Sequence, residues 1–331
     1  MFWFDWVAKI FVNDYIDHKI TPDSISLIFS YPVRYEENFA YPVKFSKFWC
    51  FEEKTSLNLN IKAYLESAIK EKIENYIFLS ENIINQNKNT ATDELNSTKL
   101  SENDNYNLNN IVNENRFSKS LKVNSVLNDS VATFFASKFI DNSKSIGIIL
   151  GTGTNGSFCI NDYYIFNSEW GNFKPKSLKL MKEEELVLSQ QKDHCNFLDV
   201  ICGNGYKSRI LSNLLENENH YITHENLDLA SILKENIDDK CKRLLLELIE
   251  RSSKILSALI CAVIKKYNSS NINIILNGSG FSQDNQRFNF ITILKETLER
   301  LELKNMNLNI IYEEGLTFVG AAYYEYCNFF N

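Results

Sequence analysis

Apolar residues near the start of the chain fall at helical spacing. Phe2, Trp6, Ile10 and Phe11 line one side of a helix over residues 2–17, with Asp5, Lys9 and Asp14 elsewhere. The spacing predicts an amphipathic helix that packs on a partner. Residues 25–31 (ISLIFSY) predict a buried strand stopped by Pro32, and 58–73 (NLNIKAYLESAIKEKI) a second helix. From about 82 to 118 the apolar anchors thin out and Asn, Ser, Glu, Asp, Lys and Thr dominate. Such a segment buries too little to offset its ordering entropy, so a mobile, protease-sensitive insertion is expected. Strands are predicted at 121–127, 145–150 and 158–166, the latter two joined by a Gly-rich turn. Residues 227–267 read as two helices broken near Asp238-Asp239. A strand at 272–276 ends in Asn277-Gly278-Ser279-Gly280, and a helix at 286–302, a strand at 307–312 and a helix at 316–329 follow. This order specifies an α/β protein with a mostly buried sheet and a second, partly helical domain.

Composition narrows the function. The chain has 331 residues, 44% of them hydrophobic, enough for two domains with full cores. A net charge of −7, with no basic patch interleaved with aromatics, argues against nucleic acid as a partner. The 42 asparagines, with many Lys and Ile, fit an AT-rich coding sequence as well as any functional demand. The seven cysteines form no CxxC pair, and several lie in apolar runs, as Cys261 does. Reduced, buried thiols in a cytoplasmic protein are expected. The aromatic N-terminus carries Asp5 and Lys9 and lacks a cleavage signature, and no apolar run reaches the roughly 18 residues of a membrane span.

Several motifs carry possible chemistry. Gly151-Thr152-Gly153-Thr154-Asn155-Gly156 matches GxGxxG, but a dinucleotide site needs a helix directly after the glycines. Here strand, turn and strand follow, so the choice lies between a Gly-rich hairpin and a turn that wraps phosphate with N–H groups and the Thr152 hydroxyl. In Cys202–Ser208, Tyr206 stands where a phosphate loop needs glycine, and a structural turn is expected. His220 and His224 share a helix face without a convincing third ligand, so no metal site is assigned. Asn128-Asp129-Ser130 closes a strand, and its carboxylate is either a general base or a helix cap. Asn167-Ser168-Glu169-Trp170-Gly171 offers a second carboxylate at a strand end, or a loop anchored by Trp.

As an ordered set these motifs resemble the eukaryotic hexokinases. Ser30-Tyr31-Pro32 resembles the family's SFP, Phe45-Ser46-Lys47 its WTK and Leu127–Thr133 its VNDTVAT. Ile149–Asn155 resembles IVGTGxN, Asn167–Phe173 NxEWGAF and Asn277-Gly278-Ser279 VDGS. Glu314-Gly315 with Gly320-Ala321-Ala322 resembles the closing EDGxGxGAA. The order holds throughout, outside the 82–118 insertion.

The resemblance implies the actin-like ATPase (ribonuclease H-like) fold, with two domains around a cleft. A small domain would span 1–128 and a large one 129–331, the helix at 316–329 returning to the small domain. It implies ATP-dependent phosphorylation of the 6-hydroxyl of a hexose such as glucose, the first step of glycolysis, with Mg2+ carried by ATP. By position, Asp129 would be the general base and Lys47 its catalytic companion. Ser30, Ser46, Lys47, Asn128, Asp129, Asn155 and Glu169 would contact the hexose. Gly151, Thr152 and Gly153 would hold ATP phosphates, with Gly278 and Ser279 near the nucleotide. A sugar rim needs many hydrogen-bonding groups, and phosphoryl transfer needs positioning and charge stabilisation.

The sequence departs from the family in places. A DLGGTNxR hairpin precedes the region that aligns with Met1 in family members. An incomplete small domain is therefore expected, with self-association or a protein partner covering it. Transfer slowed by at least about a thousandfold is expected as well. The family's second sugar-binding glutamate aligns without gaps to Leu198, and a one-residue slip offers Asp199. On the ungapped alignment, Leu198→Glu is expected to strengthen hexose binding. Asn277 replaces an Asp on the adenosine side, Ser46 replaces the Thr of WTK, and Lys174-Pro175 follows the EWGAF-like segment. A sugar-binding or protein-interaction module without turnover is the competing reading.

Overall fold

The computed structural model describes residues 2–18, 22, 24–36, 39–43, 57–90, 121–161, 164–191, 196–216, 239–267, 269–282, 284–301, 303 and 306–330. In chain order the elements are α1 (Phe2–His18), β1 (Ile25–Ile28), β2 (Val33–Glu36), β3 (Phe39–Pro42), α2 (Ile61–Thr90), β4 (Val123–Leu127) and α3 (Asp129–Ile140). There follow β5 (Lys144–Leu150), β6 (Thr154–Asn161), β7 (Tyr164–Asn167), a 3-10 turn (Trp170–Asn172), α4 (Lys182–Gln191), α5 (Phe197–Cys202) and α6 (Asn204–Glu216). The last are α7 (Asp239–Ile264), β8 (Asn271–Asn277), α8 (Asp284–Arg300), β9 (Asn307–Tyr312) and α9 (Leu316–Phe330).

Contacts divide the chain into two units. The first comprises Met1–Leu27, Arg34–Pro42 and Asn58–Val126. Here α1 packs on α2, with Phe4 against Tyr64 at 5.6 Å between ring centres. The buried stripe of α1 is Phe4, Ala8 and Val12, whereas Trp6 and Ile10 are exposed. The expected stripe through Trp6 and Ile10 is thus the wrong one of two that a 3.6-residue period allows. Strand β1 pairs with β4, and α2 is tied to β4 by Lys62 Nζ donating to Asn124 O (2.6 Å) and Val123 N–H donating to Glu66 (2.8 Å). Helix α2 runs on to Thr90, so residues 82–90, expected to begin the mobile insertion, are helical. The remainder of that insertion lies outside the described residues.

The second unit comprises Ile28–Val33, Val43–Leu57 and Leu127–Asn331. Its five-stranded sheet has the order β7-β6-β5-β8-β9. The first three strands are antiparallel neighbours, and β5, β8 and β9 are parallel. Alternate residues serve opposite faces, as the two-residue strand period requires. Ile146, Ile148, Leu150, Ile272, Ile274 and Leu276 join a core with Leu256, Ile260 and Ile264 of α7 and Phe290, Leu294 and Leu298 of α8. On the other face Ile275 packs with Ala136 of α3 and Leu316 of α9. Helices α3 and α9 approach closely because Gly320 has no side chain: a Cβ there would lie 1.8 Å from Ala132 O.

Most element predictions hold to within a few residues, including the strand–turn–strand reading of 145–166 that excludes a dinucleotide fold. The structural turn expected at Cys202–Ser208 is instead a joint of two helices, α5 ending at Cys202 and α6 beginning at Asn204. Cys159, Cys202, Cys241, Cys261 and Cys327 are free thiols, and Cys202 of α5 with Cys241 and Cys261 of α7 are buried. Among the described residues no helix is long and apolar enough to cross a membrane.

Candidate functional site

Because β5, β8 and β9 run parallel, their C-terminal ends lie along one edge of the sheet, where open α/β sheets bind ligands. The turn at 151–153 follows β5 and the turn at 278–280 follows β8. Gly280 N–H donates to Leu150 O at 2.7 Å, which brings the two turns together. Gly278 has φ of +109°, a conformation that favours glycine. Beside it Asn277 Nδ2 donates to Thr317 Oγ1 (2.5 Å), and Thr317 pairs with Thr133 Oγ1 (2.9 Å). Thr133 in turn donates to the carbonyl of Asp129 (2.8 Å). One line of hydrogen bonds therefore connects the start of α3 with the turn after β8.

A polar cluster sits at the start of α3. Asn128 caps the helix, its Oδ1 accepting from Ser130 N–H (3.0 Å) and Ser130 Oγ (2.8 Å). The amide of Asn128 reaches Tyr31 O at 3.4 Å. Asn155 Nδ2 donates to Asn167 Oδ1 (2.8 Å) and Glu169 Oε1 (2.9 Å) and lies 3.4 Å from Asn128 Oδ1. Asn167 Nδ2 donates to the same Glu169 oxygen at 2.8 Å. Beneath them Ser130 Oγ and Ser157 Oγ are 2.6 Å apart and fully buried. Asp129 is the first residue of α3, half-buried, and its Oδ1 accepts from Ser130 N–H at 2.8 Å. The cap is Asn128, so the fold does not need Asp129 for that role.

Glu169 adopts φ 47° and ψ 39°, left-handed for a residue with a Cβ. That conformation costs of order 1–3 kcal/mol and persists where packing enforces it. The enforcement comes from Trp170, buried, with Nε1 donating to Thr154 Oγ1 at 3.0 Å.

The structure brings Asn128, Asn155 and Glu169 together, with Asp129 next to Asn128 at the start of α3. It places Ser30 on an exposed bend next to Tyr31, whose carbonyl meets Asn128. Gly151, Thr152, Gly153, Gly278 and Ser279 occupy the two turns at the sheet edge, with Thr152 and Ser279 exposed. Ser46, Lys47, His220 and His224 lie outside the described residues. The ungapped assignment of Leu198 to a sugar rim is overturned: Leu198 is fully buried in the core with Trp170 and Ile201. A glutamate at 198 would enter apolar packing. Its neighbour Asp199 is the carboxylate near the turn, accepting from Thr154 N–H (2.7 Å) and Asn196 Nδ2 (2.8 Å). It fits against two glycines, since a Cβ on Gly153 or Gly171 would lie 2.3 or 2.5 Å from its Oδ1.

Sequence reasoning assigned no ligand-binding role to Asn167, Ser130, Ser157, Thr133 or Thr317. Asn167 and Ser130 stood inside motifs already singled out. Ser157 and Thr317 carry no local signal, because their partners are 27 and 184 residues away.

No protein-family profile matches the chain. In sequence it is similar to "Hexokinase-5" of Oryza sativa subsp. japonica, 31% identical over 81 residues that cover 20% of this chain and 16% of that protein. It is similar as well to "Hexokinase-2" of Solanum tuberosum, 27% identical over 110 residues, 29% of this chain and 22% of that protein. The matches thus span about a fifth of those relatives' length. In structure it is similar to the hexokinase from Schistosoma mansoni complexed with glucose. The TM-score is 0.63 at 14% identity, covering 97% of this chain and 74% of that one. The fold is the actin-like ATPase fold seen in the hexokinases, and the sequence matches show similarity to plant hexokinases over 20–29% of the chain.

Proposed function

We propose that the protein phosphorylates the 6-hydroxyl of a hexose, glucose foremost, with ATP as donor. The observation that carries this reading is the cluster at the start of α3, where hydrogen bonds link Asn155, Asn167 and Glu169, Asn155 lies near Asn128, and Asp129 follows Asn128 as the first residue of the helix. These groups offer amide donors and carboxylate acceptors of the kind that hold sugar hydroxyls. In this reading Asp129 accepts the proton of the attacking hydroxyl, while Ser30, Ser46, Lys47, Asn128, Asn155 and Glu169 orient the ring. The 151–153 turn and Thr152 hold ATP phosphates, and Gly278 and Ser279 lie against the nucleotide. Mg2+ would arrive bound to ATP, offsetting phosphate charge, since it keeps water and phosphate ligands and asks few of the protein.

A second reading, hexose binding without transfer, draws on one observation. Leu198 is core, and Asp199 is already bonded to Thr154 and Asn196, so Glu169 remains the rim carboxylate beside Asp129.

Titration calorimetry with glucose, with and without ATP·Mg, and a coupled transfer assay separate the two. The first reading expects glucose binding and transfer. It also expects Asp129→Ala to lower turnover by about 10²–10⁴, the usual share of a general base, with the melting temperature nearly unchanged. Unchanged turnover in the variant would refute the base assignment. Glucose binding with no transfer by the native protein would establish the second reading.

A further inference from the structure

Lys207 breaks two local rules. It is 1% exposed, although burying an ammonium group costs several kcal/mol. It also stands in the first turn of α6, where the helix dipole disfavours a cation. Such violations are expected where a residue serves a site rather than the fold. The Lys207 Nζ donates to Cys202 O and to Gly203 O (3.3 Å). The Cys202 carbonyl is one that the C-terminal end of the six-residue α5 leaves without an intrahelical partner, and the Gly203 carbonyl is the first acceptor of α6.

The joint that Lys207 holds lies directly against the 151–153 turn. The first two N–H groups of α6 donate to that turn: Asn204 N–H to Gly151 O (2.8 Å) and Gly205 N–H to Thr152 O (3.3 Å). The approach is so close that a Cβ on Gly203 would lie 2.1 Å from Thr152 O, and one on Gly205 2.6 Å from Thr152 Cγ2. A trans peptide directs its C=O and N–H to opposite sides. With the carbonyls of Gly151 and Thr152 turned toward α6, the N–H groups of Thr152 and Gly153 point away from it, side by side. Successive N–H groups aimed one way form an anion cradle.

We propose that Lys207 is a positioning residue for phosphate binding. By gripping the carbonyls of Cys202 and Gly203 it fixes the start of α6, which in turn aims the Thr152 and Gly153 N–H groups at the nucleotide phosphates. The proposal rests on the kinase reading above for its ligand, but not for its geometry. Lys207 touches no substrate itself. The titratable groups that act on it are Cys202 of α5 and Glu184 of α4, and Asp199 and Arg251 act in turn on Cys202. Glu184 is bound to Arg251 at 2.8 Å, so the lysine is not merely its counter-ion.

The test compares the native chain with Lys207→Met and Gly205→Ala. Gly205→Ala favours the helix but pushes on Thr152. Titration with ATP·Mg, titration with glucose, and hydrogen exchange over residues 151–156 are the readouts. In both variants nucleotide affinity should fall about ten- to a hundredfold, the scale of one or two hydrogen bonds to a charged group. Glucose affinity should stay within about twofold. Amide exchange at 151–156 should quicken in Lys207→Met. A role confined to stability would lower the melting temperature alone. Unchanged nucleotide affinity and unchanged exchange would overturn the proposal. If the native chain binds no nucleotide, the kinase reading fails, and exchange at 151–156 alone decides the positioning role. If Lys207→Met does not fold, Gly205→Ala decides: unchanged affinity and exchange overturn the proposal.

Discussion

Replacing Lys207 by methionine should change how stability depends on pH, by an amount the structure sets. Burial holds the folded ammonium's pKa down, from 10.5 to about 8, against the opposing pull of Cys202 and Glu184. The unfolded chain keeps its lysine proton to about pH 10.5, whereas the fold releases it near 8. Between those values unfolding takes up a proton, so raising the pH favours the fold. At about 1.4 kcal/mol per pH unit, the interval from about 8 to 10.5 makes about 3 kcal/mol. Methionine has no proton to release and loses this gain. Burial also pushes the thiols of Cys202 and Cys261 up, to about 12 and about 11. Those groups act in the other direction, since unfolded thiols ionise near pH 9, but both proteins carry them. The native-minus-variant difference therefore isolates the lysine, apart from its own pull on Cys202. Urea unfolding of the two proteins at pH 7, 8, 9 and 10 measures it. The difference should be flat to about pH 8 and then rise by about 2–3 kcal/mol in favour of the native chain. A flat difference across the whole range would refute the buried, depressed lysine and weaken the argument for its role.

Two further substitutions test the packing around the site. Leu198→Glu should cost more than about 3 kcal/mol, from lost packing and a carboxylate placed in an apolar core, with no gain in glucose affinity. A stable variant with tighter glucose binding would return position 198 to the sugar rim. Arg251→Met should cost about 3–5 kcal/mol, because Glu184 is 1% exposed and takes two guanidinium bonds, at 2.8 and 3.0 Å. Adding Glu184→Gln should recover part of that loss in thermal melts. A loss below about 1 kcal/mol for Arg251→Met would show that the ion pair is solvated.

The candidate site divides into what is local in sequence and what is not. Asn128-Asp129 and Asn167–Glu169 stood out because a polar run at the end of an apolar strand is visible within a few residues. Their assembly was not visible, since Asn155 meets Glu169 only after the β6–β7 hairpin turns back. The slip between Leu198 and Asp199 could not be resolved by spacing. On a helix, successive residues face about 100° apart, so one position enters the core while the next reaches Thr154. The Tyr206-Lys207 pair read as a failed phosphate loop, although the structure puts the lysine behind a different loop, the turn at 151–153.

By itself the sequence determined the order and kind of the sheet strands from β4 onward and of α7, α8 and α9, but not the helices α4, α5 and α6. Strand alternation, helical period and the glycines at 151–153 and 278–280 are short-range signals that each segment carries alone. Tertiary structure decided which face each segment buries and which ends meet. On α1, Phe4, Ala8 and Val12 are buried rather than Trp6 and Ile10, with Phe4 against Tyr64 of α2, and no single helix specifies its partner. The turns after β5 and β8, 127 residues apart in the chain, become neighbours because the two strands are parallel and in register, Ile149 opposite Asn277. Lys207 has the composition of a surface residue. Only the packing of α5, α6 and α7 around it removes it from water and directs its charge to two carbonyls.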